Sequence, residues 1–146
     1  MVKNPPDGYQ RIIPYLSYED APAAIDFLTK AFGFEERMRM PAPDGSVMHA
    51  ELSIGGEVFM LATANAEMGM VGRKGLPGMH AFVMCYVDDV DAHCAAAKAA
   101  GATILAEPED QFYGDRTYRA MDPEENVWYF ATHVKDWSPE DMPQQG

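Results

Sequence analysis

Two side chains capable of acid–base chemistry, His49 and Glu51, lie two positions apart in the stretch SVMHAELS. Apolar and polar residues alternate here as in a half-buried strand, so both side chains are expected on one face of it. A histidine and a carboxylate at this spacing can act as a general base and its partner, or as two ligands of a weak metal site. They can also form a hydrogen-bonded pair near the sheet edge without any chemical role, and the sequence leaves these alternatives open.

The rest of the sequence offers little further catalytic chemistry. No nucleophile elbow or phosphate-binding glycine loop is present. Cys85 and Cys94 are too few, and wrongly spaced, for a zinc ribbon or a disulfide framework. The catalytic residues are therefore unknown, with His49 and Glu51 as the candidates. The remaining histidines, expected at ordinary surface or boundary positions, are His80, His93 and His133.

The chain is strongly acidic, with 23 acidic and 11 basic residues and a formal net charge of −12. A nucleic-acid partner is excluded because phosphate backbones require a basic surface. The charge favours a cationic ligand, or it serves only solubility.

No stretch approaches the roughly 20 apolar residues of a membrane helix, and MVKNPPDGYQ lacks the apolar region of a signal peptide. We therefore expect a cytoplasmic protein with no membrane partner.

One helix and four strands are predicted in the first half of the chain. Asp20 stands at an N-cap position, Pro22 lies in the first turn and Gly33 follows the last turn. Apolar residues between them recur at helical spacing. The strands of this half are predicted at 12–18, 35–40, 47–54 and 57–63.

The second half repeats this order, which indicates an internal duplication. A shift of 68 positions superposes six identical residues around the helix, including Asp20 on Asp88 and Gly33 on Gly101. Asp88 or Asp89 is expected to cap a second helix that ends at Ala100. Its strands are predicted at 80–87, 102–107, 115–121 and 126–133. The chain is thus divided into a first unit at 8–63, a linker at 64–79, a second unit at 80–133 and a tail at 134–146.

This order predicts an α+β fold of two βαβββ units. In each unit one helix covers one face of the sheet and leaves the other face bare. The two bare faces can close around a shared cleft, which forms an incomplete barrel and provides a ligand site.

Several motifs resemble the vicinal oxygen chelate superfamily. They are IIPYLSYEDAPAAIDFLTKAFGFE, MHAELSIGGEVFMLA, YVDDVDA, FYGDR and DPEENVWYFATH, and the resemblance covers roughly residues 8–135. The similarity is greatest to the glyoxalase/bleomycin-resistance branch, which includes the PhnB-like proteins. Members commonly pair or exchange units across a dimer, so the resemblance implies a homodimer.

The resemblance also implies where a metal would be held. Metal-dependent members carry a His, Glu or Gln ligand on the first and fourth strand of each unit. The corresponding positions of this chain are Pro14, Met60, Phe82 and Tyr129. A thioether and a neutral phenol are poor ligands for these divalent metals, and proline and phenylalanine provide none. We therefore expect neither a metal site nor a cofactor.

Strand alternation then assigns the side chains of the cleft. Tyr129 is expected to face the cleft, while Trp128 and Phe130 pack under the helices. A cleft that is mostly aromatic and methionine-lined suits a flat apolar or cationic molecule, although the same side chains could fill it as closed core. The expected cleft residues are Pro14, Leu16, His49, Glu51, Met60, Phe82, Met84, Tyr113, Arg116 and Tyr129.

The segment FYGDR is expected to border the mouth of the cleft. Tyr113 and Arg116 could clamp a ligand there, or Asp115 and Arg116 could tie the loop to the sheet edge. The family usually has glycine where this chain has Glu125. Because a glutamate resists a positive φ, the turn at 122–126 is expected to differ in shape.

Two functions are consistent with these patterns. The first is a metal-free binding protein, similar to bleomycin-resistance proteins, that holds a small aromatic or cationic compound between its two units without changing it. The second is a glyoxalase-like lyase, or an isomerase, that uses His49, Glu51 or Tyr129 as acid–base groups. Whether the chain is an enzyme, and which small molecule it binds, the sequence leaves open.

Overall fold

Residues 2–143 are described by the computed structural model, in which two units of the same architecture follow one another. The α+β fold of two βαβββ units that the sequence predicts is confirmed. The first unit consists of β1 (Tyr15–Tyr18), α1 (Ala21–Phe32), β2 (Glu35–Pro41), β3 (Val47–Ile54) and β4 (Glu57–Thr63). The second consists of β5 (Val83–Tyr86), α2 (Val90–Ala99), β6 (Thr103–Asp110), β7 (Asp115–Met121) and β8 (Val127–His133).

Each unit forms its own four-stranded sheet, and the two sheets do not close into a barrel. The strand orders are β1-β4-β3-β2 and β5-β8-β7-β6, with a parallel pair at one edge of each sheet and antiparallel pairs elsewhere. The first strand of each unit is shorter than predicted. Pro14 has no amide hydrogen to donate, and β8 begins at Val127, which leaves residues 80–81 without a partner strand.

The helix caps follow the predicted chemistry. The Asp20 side chain accepts a hydrogen bond from the Ala23 amide at 3.1 Å, and Gly33 ends α1 with a φ of 77°. Of the two candidates in the second unit, Asp89 is the cap, and it accepts from the Ala92 amide at 3.1 Å. The two caps therefore lie 69 residues apart.

The strand registers use the same spacing of 69. Tyr15 pairs with Met60 in the first unit, and Met84 pairs with Tyr129 in the second. The shift of 68 found around the helix thus does not extend into the strands that precede it. As a result Tyr15 and Met84, rather than Pro14 and Phe82, lie directly beside Met60 and Tyr129.

An aromatic cluster joins the two units. The Trp128 ring lies 5.2 Å from Phe34, 5.3 Å from Phe59 and 5.7 Å from Phe32 between centroids, so a side chain of the second unit packs on three of the first. Phe32 also packs on Phe130 at 4.9 Å. Such aromatic pairs add stability beyond the apolar area they bury, and the cluster makes the two halves share one core.

Buried polar groups reinforce this junction. Asp122 accepts hydrogen bonds from Tyr18 Oη at 2.7 Å and Trp128 Nε1 at 3.2 Å, together with two backbone amides of its own turn. Burial raises the pKa of Asp122, and these hydrogen bonds oppose the rise. The Glu124 carboxylate accepts from the amides of Glu19 and Asp20 just before α1. The turn after β7 is therefore fastened to the first unit at two points.

Glu125 adopts the left-handed conformation that the family's glycine allows. Its φ is 68°, whereas a change of turn shape is expected from the sequence. The Asp122 side chain bonds the amides of Glu124 and Asn126 on either side at 3.0 Å, and the Glu125 amide donates to the Asp122 carbonyl. These bonds hold the turn, so the chain accepts the strain of a glutamate at positive φ instead of reshaping the loop.

Within residues 2–143, no helix combines the length and apolar character needed to cross a membrane. The last part of the predicted tail, 144–146, lies outside the described residues.

Candidate functional site

Each sheet has one face turned away from the helices. We call these the first open face, formed by Tyr15, Ser17, His49, Glu51 and Met60, and the second open face, formed by Met84, Thr117, Arg119, Tyr129 and Ala131. The alternation expected in β8 is present: Trp128 and Phe130 are 1% and 0% exposed in the core, and Tyr129 between them turns to the second open face. Both open faces carry aromatic and methionine side chains.

A groove runs between the edge strands β1 and β5 and is lined by both units. Its cavity of about 380 Å³ contacts Pro14, Tyr15 and Leu16 of the first unit and Phe82 and Met84 of the second. Leu16 pairs with Leu61 and packs partly against the core, so it reaches the groove from the core side. The groove brings together four of the predicted cleft residues, Pro14, Leu16, Phe82 and Met84.

An aromatic and cationic stack stands beside the groove on the second open face. The Phe82 and Tyr129 rings are stacked with centroids 4.1 Å apart. Arg119 lies over the Tyr129 ring at 5.4 Å, and its Nη1 donates to Tyr129 Oη at 3.2 Å. The guanidinium and the phenylalanine thus hold the Tyr129 ring in place, and Phe82 remains 48% exposed beside it.

On the first open face His49 and Glu51 belong to a longer chain of hydrogen bonds. His49 Nε2 lies 2.9 Å from Glu51 Oε2, and Tyr15 Oη lies 2.8 Å from His49 Nδ1. Tyr9 Oη donates to the other carboxylate oxygen, Glu51 Oε1, at 2.5 Å. The chain of groups therefore runs from Tyr15 through His49 and Glu51 to Tyr9. Tyr129, the third proposed acid–base group, lies on the other sheet.

Glu51 is an ionised group in a nearly closed environment. It is 6% exposed, and this burial opposes ionisation, but the hydrogen bonds from Tyr9 and His49 outweigh it and lower the pKa of Glu51. Arg37 stacks over the Tyr9 ring at 5.0 Å and adds a favourable charge. The pKa of Tyr15 is raised by burial and by the charge of Glu51.

A larger cavity lies at the end of the first open face where Tyr15 and Ser17 are found. About 1000 Å³ in volume, it is bounded by β3, by β4 and by the start of the linker. Its lining residues include Tyr15, Met48, Met68 and Met70. Sequence reasoning assigned the linker no role in the site, because residues 64–79 show no periodicity that would place them against a sheet.

The structure places Arg116 apart from these surfaces. Its guanidinium binds both oxygens of Asp91 at 2.9 and 3.0 Å and Asp110 at 3.2 Å, and these bonds raise its pKa. Asp115 accepts from Tyr86 and pairs with His133. Both residues therefore tie the loop to neighbouring elements. Tyr113 borders a cavity of about 250 Å³ that Arg119 and Tyr129 also line.

The positions that would hold a metal do not fit one. The registers place Tyr15 beside Met60 and Met84 beside Tyr129, so the donors are two phenols and two thioethers, which divalent metals bind poorly. Across residues 2–143, no group of three or more His, Cys, Asp or Glu side chains is arranged to hold a metal ion.

Comparison with known proteins agrees with the family resemblance of the sequence motifs. The sequence profile of the Glyoxalase/Bleomycin resistance protein/Dioxygenase superfamily matches residues 11–130. An uncharacterized protein of Mycobacterium bovis is 38% identical over 128 residues, which cover 84% of this chain and 83% of that protein. An uncharacterized protein of Mycobacterium tuberculosis is also 38% identical, with 74% of its length covered.

Solved structures resemble the chain as well. TioX from Micromonospora sp. ML1 superposes with a TM-score of 0.68 at 33% identity, over 86% of this chain and 99% of TioX. A glyoxalase/bleomycin resistance protein/dioxygenase family enzyme from Burkholderia phytofirmans PsJN gives a TM-score of 0.67 at 23% identity, over 87% and 98% of the two chains. The second of these comparisons supports the fold alone.

Removing the hydroxyl of Tyr9 tests how Glu51 is held. We expect Tyr9→Phe to raise the pKa of Glu51, because one of its two side-chain donors is lost. A lowered carboxyl pKa stabilises the fold above the unfolded-state value and loses this effect as the pH falls through the folded-state value. The variant should therefore be less stable than the wild type at about pH 7, and the difference should shrink toward about pH 3.

Denaturant unfolding at a series of pH values measures this difference. Tyr113→Phe, at an exposed tyrosine of the other unit, is the matched control and should follow the wild type. An equal loss of stability for Tyr9→Phe at every pH would contradict the role assigned to Glu51.

Proposed function

The chain belongs to the Glyoxalase/Bleomycin resistance protein/Dioxygenase superfamily, and we propose that it is a metal-free binding protein for a small aromatic or cationic compound. The ligand is held between the two units and is not altered. The observation that carries the proposal is the groove of about 380 Å³, lined by Pro14, Tyr15 and Leu16 on one side and by Phe82 and Met84 on the other. Ligand pockets commonly measure about 300–1,000 Å³ and are mostly apolar.

The walls of the groove favour a flat ring. Phe82 lies in the groove with half of its surface exposed, and its stacking on Tyr129 fixes its orientation. A ring that is already oriented loses little entropy when a second ring packs on it. Met84 adds a polarizable thioether that contacts aromatic groups favourably. Ring contact and shape therefore supply the binding that a metal ion supplies in the metal-dependent members.

We place the chain in the bleomycin-resistance-like or PhnB-like branch. This assignment rests on FYGDR and DPEENVW. DPEENVW contains Asp122, Glu124 and Trp128, which fasten the two units together. The motif therefore has a structural role in keeping the walls of the groove at a fixed separation.

A second copy of the chain is the proposed partner. Large apolar side chains outside the groove are exposed beside the two open faces, namely Met40, Met48 and Tyr86. Exposed apolar side chains that lie together on one surface are typical of an interface, and a homodimer would cover them. Sedimentation equilibrium should then give about twice the 16.2 kDa of one chain. A single species of one chain's mass at all concentrations would contradict the dimer.

The alternative function is a lyase or isomerase reaction. The observation that favours it is the contact of His49 with both Glu51 and Tyr15, because a histidine oriented by a carboxylate can accept a proton from a neighbouring hydroxyl. This reading differs from the binding proposal in one measurable outcome, since an enzyme consumes its ligand and a binding protein returns it unchanged.

A thermal-shift screen separates the two functions. It compares cationic aromatic antibiotics with 2-oxo and 1,2-dioxygenated metabolites, and nuclear magnetic resonance then determines whether each stabilising compound is consumed. We expect an aromatic compound to raise the melting temperature and to be recovered intact. Consumption of a metabolite, with no shift from the aromatic compounds, would refute the binding proposal and support the enzyme.

Phe82→Ala then tests the location of the site. The variant should weaken aromatic binding by about two- to tenfold, which corresponds to the loss of one ring contact. Leu105→Ala is the matched control, because Leu105 is similarly exposed but lies on β6, outside the groove. Isothermal titration calorimetry measures both affinities. Equal affinity for Phe82→Ala and the wild type would exclude the groove as the site.

A further inference from the structure

Tyr15 borders both of the main cavities. Its side chain lines the groove between the units and also the cavity of about 1000 Å³ at the end of the first open face. It is 47% exposed, so a ligand in either cavity can reach it. At the same time its hydroxyl is the outer end of the hydrogen-bond chain through His49 and Glu51. The direction of that chain decides what the hydroxyl offers to a ligand.

The buried Glu51 carboxylate fixes the direction of this chain of hydrogen bonds. An ionised carboxylate can only accept hydrogen bonds, so Glu51 requires a hydrogen on His49 Nε2, 2.9 Å away. A neutral imidazole has one N–H, and His49 Nδ1 therefore carries a lone pair. Tyr15 Oη, 2.8 Å from Nδ1, must then donate its only hydrogen to the histidine. The Tyr15 oxygen keeps only lone pairs for the cavity.

We infer that Tyr15 is a specificity-determining residue that acts as a hydrogen-bond acceptor and selects ligands carrying a protonated amine. This inference rests on the proposed function, since it names the chemical class of the compound bound there. A primary ammonium donates a hydrogen bond to the Tyr15 oxygen, whereas a quaternary ammonium of the same charge has no hydrogen to donate. His49 and Glu51 are positioning residues, because they act on the ligand through Tyr15.

The charges around the larger cavity are compatible with such a ligand. Its lining contains two carboxylates, Asp44 and Glu67, and, like the lining of the groove, it includes no lysine, arginine or histidine. Hydrogen bonds from Ser46 lower the pKa of Asp44 and keep it ionised. Arg37 is a basic group near the hydrogen-bond chain. It lies over the Tyr9 ring, on the far side of Glu51. A cationic ligand therefore meets no like charge at the wall next to Tyr15.

The first test needs no ligand. The ¹⁵N chemical shifts of the imidazole distinguish the two neutral tautomers of His49, with His49→Gln used for assignment. We expect the hydrogen on Nε2, because the Glu51 carboxylate 2.9 Å away can only accept a hydrogen bond. A hydrogen on Nδ1 would overturn the inference whatever the protein binds.

The second test compares two ligands of the same ring and charge, of which only one has N–H groups to donate. The probes are 2-phenylethylammonium and its N,N,N-trimethyl derivative, which share the ring and the charge. At about pH 8 the wild type should bind the primary ammonium about tenfold more tightly, as expected for one hydrogen bond to a charged group. Tyr15→Phe should remove this preference. Tyr86→Phe, which removes a hydroxyl bonded to Asp115 in the other unit, should keep it.

Each outcome of the second test has one meaning. Equal binding of the two probes by the wild type would refute the role of Tyr15 and leave the proposed function intact. If neither probe binds but the uncharged analogue 2-phenylethanol does, the selection of cations is refuted and the proposed function stands. Failure of all three compounds would refute this inference, and the thermal-shift screen would decide the proposed function separately. Circular dichroism and melting temperatures show whether Tyr15→Phe has kept the fold.

Discussion

The packing of Trp128 between the two units is the contact on which the rest of the structure depends. Its ring meets Phe34 and Phe59 of the first unit, and its indole nitrogen donates to Asp122, which also binds Tyr18. Both units thereby bury their helix-covered faces in one core. Side chains alternate along a strand, so burying Trp128 and Phe130 turns Tyr129 outward. The core thus determines what the opposite surface displays.

This arrangement explains why one face of each sheet stays free of helices. One helix covers one face of each four-stranded sheet, and the shared core leaves the other two faces to aromatic and methionine side chains. The edge strands β1 and β5 meet without pairing, which produces the groove. The positions that the resemblance assigns to metal ligands carry phenol and thioether groups in the strand register observed. Recognition is therefore proposed to depend on ring contact and on the orientation of single hydroxyl groups such as that of Tyr15.

Much of the fold was predictable because its signals are local. Caps such as Asp20 and Gly33, and the repetition of the strand order, are written in short stretches of sequence. The site was less predictable because it depends on distant contacts. Nothing near Tyr9 indicates that it bonds Glu51, 42 positions later, and only the strand register shows that Tyr15 lies beside Met60. Glu125 shows the converse, since tertiary hydrogen bonds impose a conformation that its own preference opposes.

The central claim is that the chain binds its ligand without a metal, and the metal content of the pure protein tests it most directly. Inductively coupled plasma mass spectrometry, before and after dialysis against a chelator, is combined with titration of an aromatic ligand. The account predicts far less than one zinc, nickel or iron per chain and the same affinity after chelation. One such metal per chain, removed by the chelator together with ligand binding, would contradict it.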